Sequence, residues 1–126
     1  MLNPLAEQIF CVRGNCEAEV DQMMLEFPVL AEYALLMEGD AKVFVTHGHI
    51  YNEEHLPPQI RGMILLHGHT HVPACEVRGE YVYMNPGSVS IPKEGSPHSY
   101  MLMEDGHFRW IDLKTGGEYN SYSIGE

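Results

Sequence analysis

Basic residues are scarce in this sequence of 126 residues. Seven Lys and Arg stand against 18 Asp and Glu, so the formal net charge is −11 at pH 7. Binding to nucleic acid or to an anionic membrane surface requires clusters of Lys and Arg, because both partners present phosphate groups. The charge therefore argues against nucleic acid and membranes as partners, whereas bound cations would offset part of it.

Cysteine is also scarce, and long apolar runs are missing. The three cysteines are Cys11, Cys16 and Cys75, without a CxxC motif, so a disulfide framework is not expected and a reducing compartment fits best. No apolar run approaches the roughly 20 residues that span a bilayer. The first residues, "MLNPLAEQ", contain neither a basic region nor an apolar signal core. We therefore expect a cytoplasmic protein.

The overall composition is typical of one globular domain, which we assign to residues 1–126. Hydrophobic residues make up 44% of the chain and charged residues 20%, a balance that excludes a disordered composition. A chain of this length can also bury a sizeable core.

The hydrophobic pattern predicts α/β structure in the first half and mainly antiparallel β structure in the second. An amphipathic helix is indicated over residues 17–27, where apolar residues recur at helical spacing. The other predicted elements are a buried strand at 9–13, a hairpin at 33–48 that turns at Gly39-Asp40, a strand at 63–68, antiparallel ribbons that turn at Gly79 and Gly106, and a polar tail from Lys114 that is either an edge strand or a frayed end.

The number of predicted helices is small for such apolar strands. Buried apolar strands normally need neighbouring strands and covering helices on both faces, but this pattern supplies one clear helix. We therefore expect the C-terminal part of a larger domain, with its leading strands and helices absent. Because exposed strand edges recruit other strands, we also expect a homo-oligomer formed by edge pairing or swapping, or a fragment of a longer gene product.

Polar side chains follow apolar strands in three glycine-containing segments, "VRGNCE" (12–17), "VTHGH" (45–49) and "LHGHTH" (66–71). In open α/β sheets, ligands bind outside the carboxyl ends of the strands. Imidazole is the commonest protein ligand for transition metals. The pattern therefore predicts a divalent metal site with four candidate ligands: Asn15, His47, His69 and His71.

The spacing of His69 and His71 leaves two arrangements open. Both rings lie on the same side if the strand continues to His71, and they address two adjacent ions if the chain turns first. His67 lies on the strand itself, so we interpret it as a packed residue or a support for the ligands.

Other groups have simpler interpretations. His55, His98 and His107 are interpreted as surface or hydrogen-bonded residues, and an isolated H-x-H pair would often be structural. Cys16, at the predicted helix start, is either a thiolate favoured by the helix dipole or a small buried side chain.

Taken in order, the segments "RGNCE", "THGH", "GHTH" and "NPGSVSIPK" resemble the metallophosphoesterases of the calcineurin-like superfamily, in particular the small bacterial phosphodiesterases of the YfcE type. The resemblance extends from Phe10 to about Leu113. It implies the α/β fold of that superfamily, a four-layer α/β/β/α sandwich, present here in part because its leading strands and helices are absent. It also implies a dinuclear site at the strand ends, usually holding Mn²⁺.

The resemblance also implies roles for the site residues. Asn15, His47 and His69 would hold one ion, and His71 would belong to the other. Cys16 occupies the position at which many relatives carry a catalytic His. Two further groups would line the site: His49, to which we also assign a catalytic role, and the segment Asn85-Pro86-Gly87.

The carboxylate motifs of the superfamily are missing from this sequence. No Asp-x-His precedes the Asn motif, since the one such triplet, Asp105-Gly106-His107, comes after the other motifs, and Gly39-Asp40 follows the Asn motif in a hairpin turn, where it cannot supply the bridging carboxylate. The retained ligands are neutral and rich in nitrogen, so they favour Zn²⁺ or Ni²⁺ over Mn²⁺, which prefers carboxylate oxygens. Without the bridging group the two-metal clamp on phosphate would be lost, and we expect little activity from this chain alone.

The resemblance implies a metal-dependent phosphoesterase that hydrolyses a small phosphodiester or phosphomonoester at a dinuclear site. One alternative is a non-catalytic, protein-binding scaffold of the same fold; such a protein would be expected to lose the site histidines, which this chain keeps. Another is a metal-binding module, which would bind metal without turnover.

Overall fold

The computed structural model describes residues 31–38, 41–48, 51–57 and 60–124. Within these ranges the chain forms eight strands in two sheets. Their bounds are β1 Tyr33–Glu38, β2 Ala41–Thr46, β3 Ile64–His67, β4 Ala74–Arg78, β5 Tyr81–Asn85, β6 Ser99–Glu104, β7 His107–Asp112 and β8 Glu118–Ser123. The strand predicted at 9–13 and the helix predicted at 17–27 lie outside the described residues.

The first sheet has five strands in the order β1-β2-β3-β5-β4. Its three central strands, β2, β3 and β5, are parallel to one another, while β1 and β4 flank them in antiparallel pairing. Because parallel strands run in one direction, the carboxyl ends of all three central strands lie at the same edge of the sheet.

The second sheet is antiparallel throughout, in the order β6-β7-β8. Its first two strands are the ribbon predicted around Gly106, which has a φ of 77° and therefore occupies the left-handed region that the turn requires. The predicted β1–β2 and β4–β5 hairpins are likewise confirmed. The polar tail forms the strand β8 rather than a frayed end.

The main core lies between the two sheets. Ala41, Val43, Ile64 and Met84 of the first sheet pack there with Phe108 and Trp110 of the second. Side chains on alternate residues of a strand point to opposite faces, so the neighbours Phe44 and Leu65 pack with Ile60 in a second cluster. Each large apolar side chain buried in this way contributes about 1.5–3 kcal/mol relative to an exposed one.

The near-continuous burial of the central strands follows from this arrangement. In β3, Ile64 and Leu65 are both buried although they face opposite sides of the sheet, as expected of a parallel strand covered on both faces. In the described parts of the chain, no helix is long and apolar enough to cross a bilayer.

Candidate metal centre and adjoining cavity

The three parallel strands deliver polar side chains to one edge of the first sheet. His47 and Gly48 follow β2, β3 ends at His67, and β5 ends at Asn85. The rings of His47 and His69 lie next to each other, with centroids 5.0 Å apart and planes inclined by 70°. The structure therefore brings together two of the four predicted ligands, from segments 22 residues apart in the chain.

The chain turns immediately after β3, so the condition for the first arrangement of the H-x-H pair, a strand that continues to His71, is not met. His69 has a φ of 70° and His71 a φ of 63°, so neither residue continues the strand. A non-glycine residue in the left-handed region costs roughly 1–2 kcal/mol, and such residues concentrate at functional sites. His69 and His71 thus both lie in a tight turn and not on a strand.

His71 is oriented by the segment that follows β5. Its Nδ1 donates a hydrogen bond to the carbonyl oxygen of Ile91 over 2.8 Å, and its own carbonyl oxygen accepts from the backbone N–H of Lys93 over 3.1 Å. Because Nδ1 carries the donated proton, the lone pair of the neutral ring is on Nε2. This is the usual second bond of a metal-binding histidine.

His67 is packed beneath this edge, as predicted. Its side chain is 5% exposed and stacks on the ring of Tyr83 with centroids 4.7 Å apart. Its Nδ1 donates to the carbonyl oxygen of Gly68 over 2.9 Å, and burial lowers the pKa of His67 below its ordinary value. Gly48, at a φ of 114°, lies so close that a Cβ there would be 2.7 Å from His67 Nδ1.

Asn85 braces the turn that carries His69. Its side chain is fully buried, and its Nδ2 lies 3.2 Å from the carbonyl oxygen of Gly68 and 3.0 Å from both Thr70 Oγ1 and Tyr83 Oη. Its Oδ1 accepts from the backbone N–H of Gly87 over 2.9 Å. Asn85 was expected to line the site, but it lies below the site and holds its backbone in place.

A cavity of about 380 Å³ adjoins this edge, and we refer to it as the side cavity. Its walls include Asn52, Glu53, Glu54, His67 and Tyr83, and His69 belongs to the same lining. The first three of these residues were not predicted. The polar run "YNEEH", separated by Ile50 from the "THGH" segment, was the signal that could have identified them.

The loop that carries this acidic wall is organised by Asn52. Its Nδ2 donates to the carbonyl oxygen of Gly48 over 2.9 Å, and its Oδ1 accepts from the backbone N–H groups of Glu54 and His55 over 2.9 and 3.0 Å. Glu53 is held separately, because Arg78 Nε and Tyr81 Oη donate to its carboxylate over 2.9 and 2.8 Å. The backbone of the loop is therefore fixed by its own hydrogen bonds, and the Glu53 side chain by two residues of the first sheet.

The described donors fit part of a metal site. No group of three His, Cys, Asp or Glu side chains within the described ranges could hold a metal ion. The adjacent rings of His47 and His69 nevertheless form a pair of imidazole donors, and the Nε2 of His71 carries a lone pair close by in sequence. The remaining predicted site residues, Asn15, Cys16 and His49, lie outside the described residues, as does Gly39-Asp40.

Two histidines assigned no role in the site are hydrogen-bonded elsewhere, as predicted. His98 Nδ1 donates to the carbonyl oxygen of Val89 over 2.7 Å. His107 Nδ1 forms a 2.6 Å hydrogen bond with Ser123 Oγ in the second sheet.

Comparison with known proteins gives a family match over most of the chain. The calcineurin-like phosphoesterase superfamily domain matches residues 1–105. The phosphodiesterase YfcE of Escherichia coli strain K12 is 46% identical over 104 residues, which are 82% of this chain and 56% of that protein. The chain thus spans about half the length of the curated relatives it matches.

The structural comparisons agree with this match. A solved structure of YfcE, a phosphoesterase from E. coli, has a TM-score of 0.91 at 41% identity and covers 98% of this chain and 68% of that chain. Vacuolar Protein Sorting 29 from Cryptosporidium parvum has a TM-score of 0.52 at 19% identity, covering 90% of this chain and 80% of that chain. The second comparison shows a shared fold alone. The mixed α/β metallophosphoesterase fold expected from the sequence is confirmed.

Proposed function

Because the chain belongs to the calcineurin-like phosphoesterase superfamily, we propose that it hydrolyses phosphodiesters with the help of divalent metal ions bound beside His47 and His69. The observation that carries this proposal is the adjacency of those two rings at the shared carboxyl edge of three parallel strands. The similarity to a phosphodiesterase over 82% of the chain supports the choice of phosphodiesters as the substrate class.

The proposed assignment of ligands uses both described and undescribed residues. Asn15, His47 and His69 hold one ion, and His71 belongs to a second. Cys16 and His49 act beside the substrate. The geometry of the described histidines supports the first assignment, while the roles of Asn15, Cys16 and His49 rest on the sequence resemblance.

The chain's own residues prepare the site before any metal is present. The left-handed turn fixes the direction of His69, the Asn85 amide holds the backbone of that turn, and the Ile91 carbonyl fixes the tautomer of His71. A divalent ion bound there supplies positive charge that polarises a phosphoryl oxygen and lowers the pKa of water. Histidine donors of this kind suit Zn²⁺ and Ni²⁺ as well as the Mn²⁺ expected for the family.

The proposal is tested by measuring metal content and hydrolysis of bis(p-nitrophenyl) phosphate with added Mn²⁺ or Zn²⁺. We expect His69→Ala to lose metal and to lower the rate by more than the roughly 10–100-fold typical of residues that only support a ligand. His107→Ala is the matched control, since His107 is exposed in the second sheet and should leave both quantities unchanged.

The alternatives predict different results in the same experiment. A metal-binding module would bind metal through His69 without turnover, and a protein-binding scaffold would show no dependence of any hydrolysis on His69. Equal rates for His69→Ala and wild type would contradict the proposal.

The choice of Mn²⁺, a cytoplasmic location and a homo-oligomer remain predictions. Sedimentation at several protein concentrations tests the oligomer, and a well-folded monomer would count against it.

A further inference from the structure

The side cavity has an acidic wall that no basic side chain neutralises completely. Glu53 is engaged by Arg78 and Tyr81, but the Glu54 carboxylate has no hydrogen-bond or ion-pair partner within the described part of the chain. None of the described residues that line the cavity is Lys or Arg. A negatively charged group would therefore be repelled from this cavity, and a positively charged one would be attracted.

An acceptor atom of a largely buried side chain adds a second requirement. His67 is 5% exposed and lines the cavity, and its Nδ1 proton is donated to the Gly68 carbonyl oxygen. In the neutral ring Nε2 therefore carries a lone pair, and no hydrogen-bond partner for it occurs among the described residues. No buried side-chain nitrogen or oxygen atom of the described residues lacks a hydrogen-bond partner, so this nitrogen is open to the cavity that His67 lines, where it can accept a hydrogen bond from a ligand.

Size and position restrict the ligand further. A volume of about 380 Å³ is at the lower end for small-molecule sites, which span roughly 300–1,000 Å³. His69 belongs both to the imidazole pair and to the cavity lining. A phosphodiester bound beside the pair would thus extend one of its two alcohol groups into the cavity.

From these observations we propose that the side cavity receives an alcohol bearing a primary ammonium group, as one ester of the phosphodiester. The proposal rests on the proposed function for the phosphate, but the selectivity of the cavity is a property of its own walls. An ammonium group supplies positive charge for Glu54 and N–H donors for His67 Nε2. A neutral diol lacks the charge, and a quaternary ammonium lacks the donors.

Binding of small alcohols tests the cavity without requiring turnover. Protein NMR shifts, including those of the Tyr83 ring, are followed during titration with ethanolamine, ethylene glycol and choline. We expect ethanolamine to bind more tightly than either of the others, and Glu54→Gln to weaken ethanolamine binding by about two- to fivefold, the range of a partly exposed ion pair. Glu104→Gln, which removes an exposed carboxylate from the second sheet, is the control and should have no effect.

Each other outcome in this titration counts against the proposal. Equal binding of ethanolamine and ethylene glycol, or an unchanged dissociation constant in Glu54→Gln, would show that charge does not select the ligand. Choline binding as tightly as ethanolamine would show that N–H donors do not matter.

A kinetic comparison separates this inference from the proposed function. The p-nitrophenyl ester of phosphoethanolamine is compared with bis(p-nitrophenyl) phosphate, and we expect the kcat/KM ratio to favour the former in wild type and to fall about two- to fivefold in Glu54→Gln. Turnover of both esters without this preference would overturn the inference alone. Selective ethanolamine binding with no turnover of either ester would overturn the proposed function alone.

Discussion

The two sheets share one core but differ in where the carboxyl ends of their strands lie. In the second sheet, each strand runs opposite to its neighbour, so successive carboxyl ends alternate between the two edges. In the first sheet, β2, β3 and β5 are parallel, and their carboxyl ends meet. The difference teaches that strand direction decides where chemistry can be assembled.

Buried polar side chains follow the same division. The four in the described residues are Thr46, His67, Asn85 and Ser99. The first three stand at the carboxyl ends of β2, β3 and β5. Ser99 begins β6 in the second sheet, but its hydroxyl donates to the carbonyl oxygen of Pro86 over 2.7 Å, beside the same edge. Burial of polar groups is therefore concentrated under the candidate site, where each has a hydrogen-bond partner.

Removing the contact between the two sheets should have the largest effect. Trp110 is fully buried in the shared core, and its Nε1 donates to the carbonyl oxygen of Asn85 over 2.8 Å. We expect Trp110→Ala to lower the free energy of unfolding by about 3–5 kcal/mol, measured by urea denaturation followed by circular dichroism.

Trp110→Phe is the matched variant, because it keeps most of the apolar ring and loses the hydrogen bond. It should cost about 1–3 kcal/mol, the penalty for leaving a buried acceptor unsatisfied. A loss below about 1 kcal/mol in Trp110→Ala, well under the usual cost of truncating a buried aromatic side chain, would mean that the sheets do not depend on each other.

Removing the brace under His69 should have an intermediate effect. Asn85→Ala leaves the backbone N–H of Gly87 without its side-chain acceptor and removes one of the donors to the Gly68 carbonyl oxygen, and we expect a loss of about 1–3 kcal/mol in unfolding free energy. Metal affinity should fall by about 10–100-fold, as is typical when a supporting residue is removed. Calorimetric titration with Zn²⁺ measures the affinity.

Asn120→Ala serves as the control for this experiment, since Asn120 is an exposed residue of β8. A loss of metal affinity as large in Asn120→Ala as in Asn85→Ala would show that the brace is not specific to the site edge.

The smallest effect should be a pH dependence of the free energy of unfolding that arises from His67 in the first sheet. Burial lowers the pKa of His67 from its ordinary value of 6.5, so the unfolded chain binds this proton more readily than the folded one. Stability should therefore fall as pH decreases below 6.5, until the folded pKa is reached. Urea denaturation of metal-free protein at several pH values measures this slope.

His67→Gln should reduce the slope, and His107→Gln in the second sheet should leave it unchanged. An identical slope in wild type and His67→Gln would assign the pH dependence to other groups.

Local patterns in the sequence were sufficient to predict most of the described strands. The hairpins of β1–β2, β4–β5 and β6–β7 follow from apolar or β-branched runs separated by turn residues, and the pairing of adjacent segments is a local matter. The packed role of His67 also followed from its place at the end of an apolar run. The acidic wall was not predicted, because the residues of "YNEEH" show no hydrophobic periodicity of a strand or a helix.

The sequence by itself determined the candidate site residues and the strand end that each of the described ones follows, because alternation along a strand is a property of neighbouring residues. The tertiary structure alone decided that His47 and His69 meet, since this requires β3 to pair in parallel with β2 and β5 across intervening segments. It also decided that His69 and His71 lie in a turn, where Asn85 donates to the Gly68 carbonyl oxygen and the Ile91 carbonyl oxygen accepts from the His71 ring; both partners are distant in the chain. Contacts of this kind depend on long-range packing, which no local period encodes.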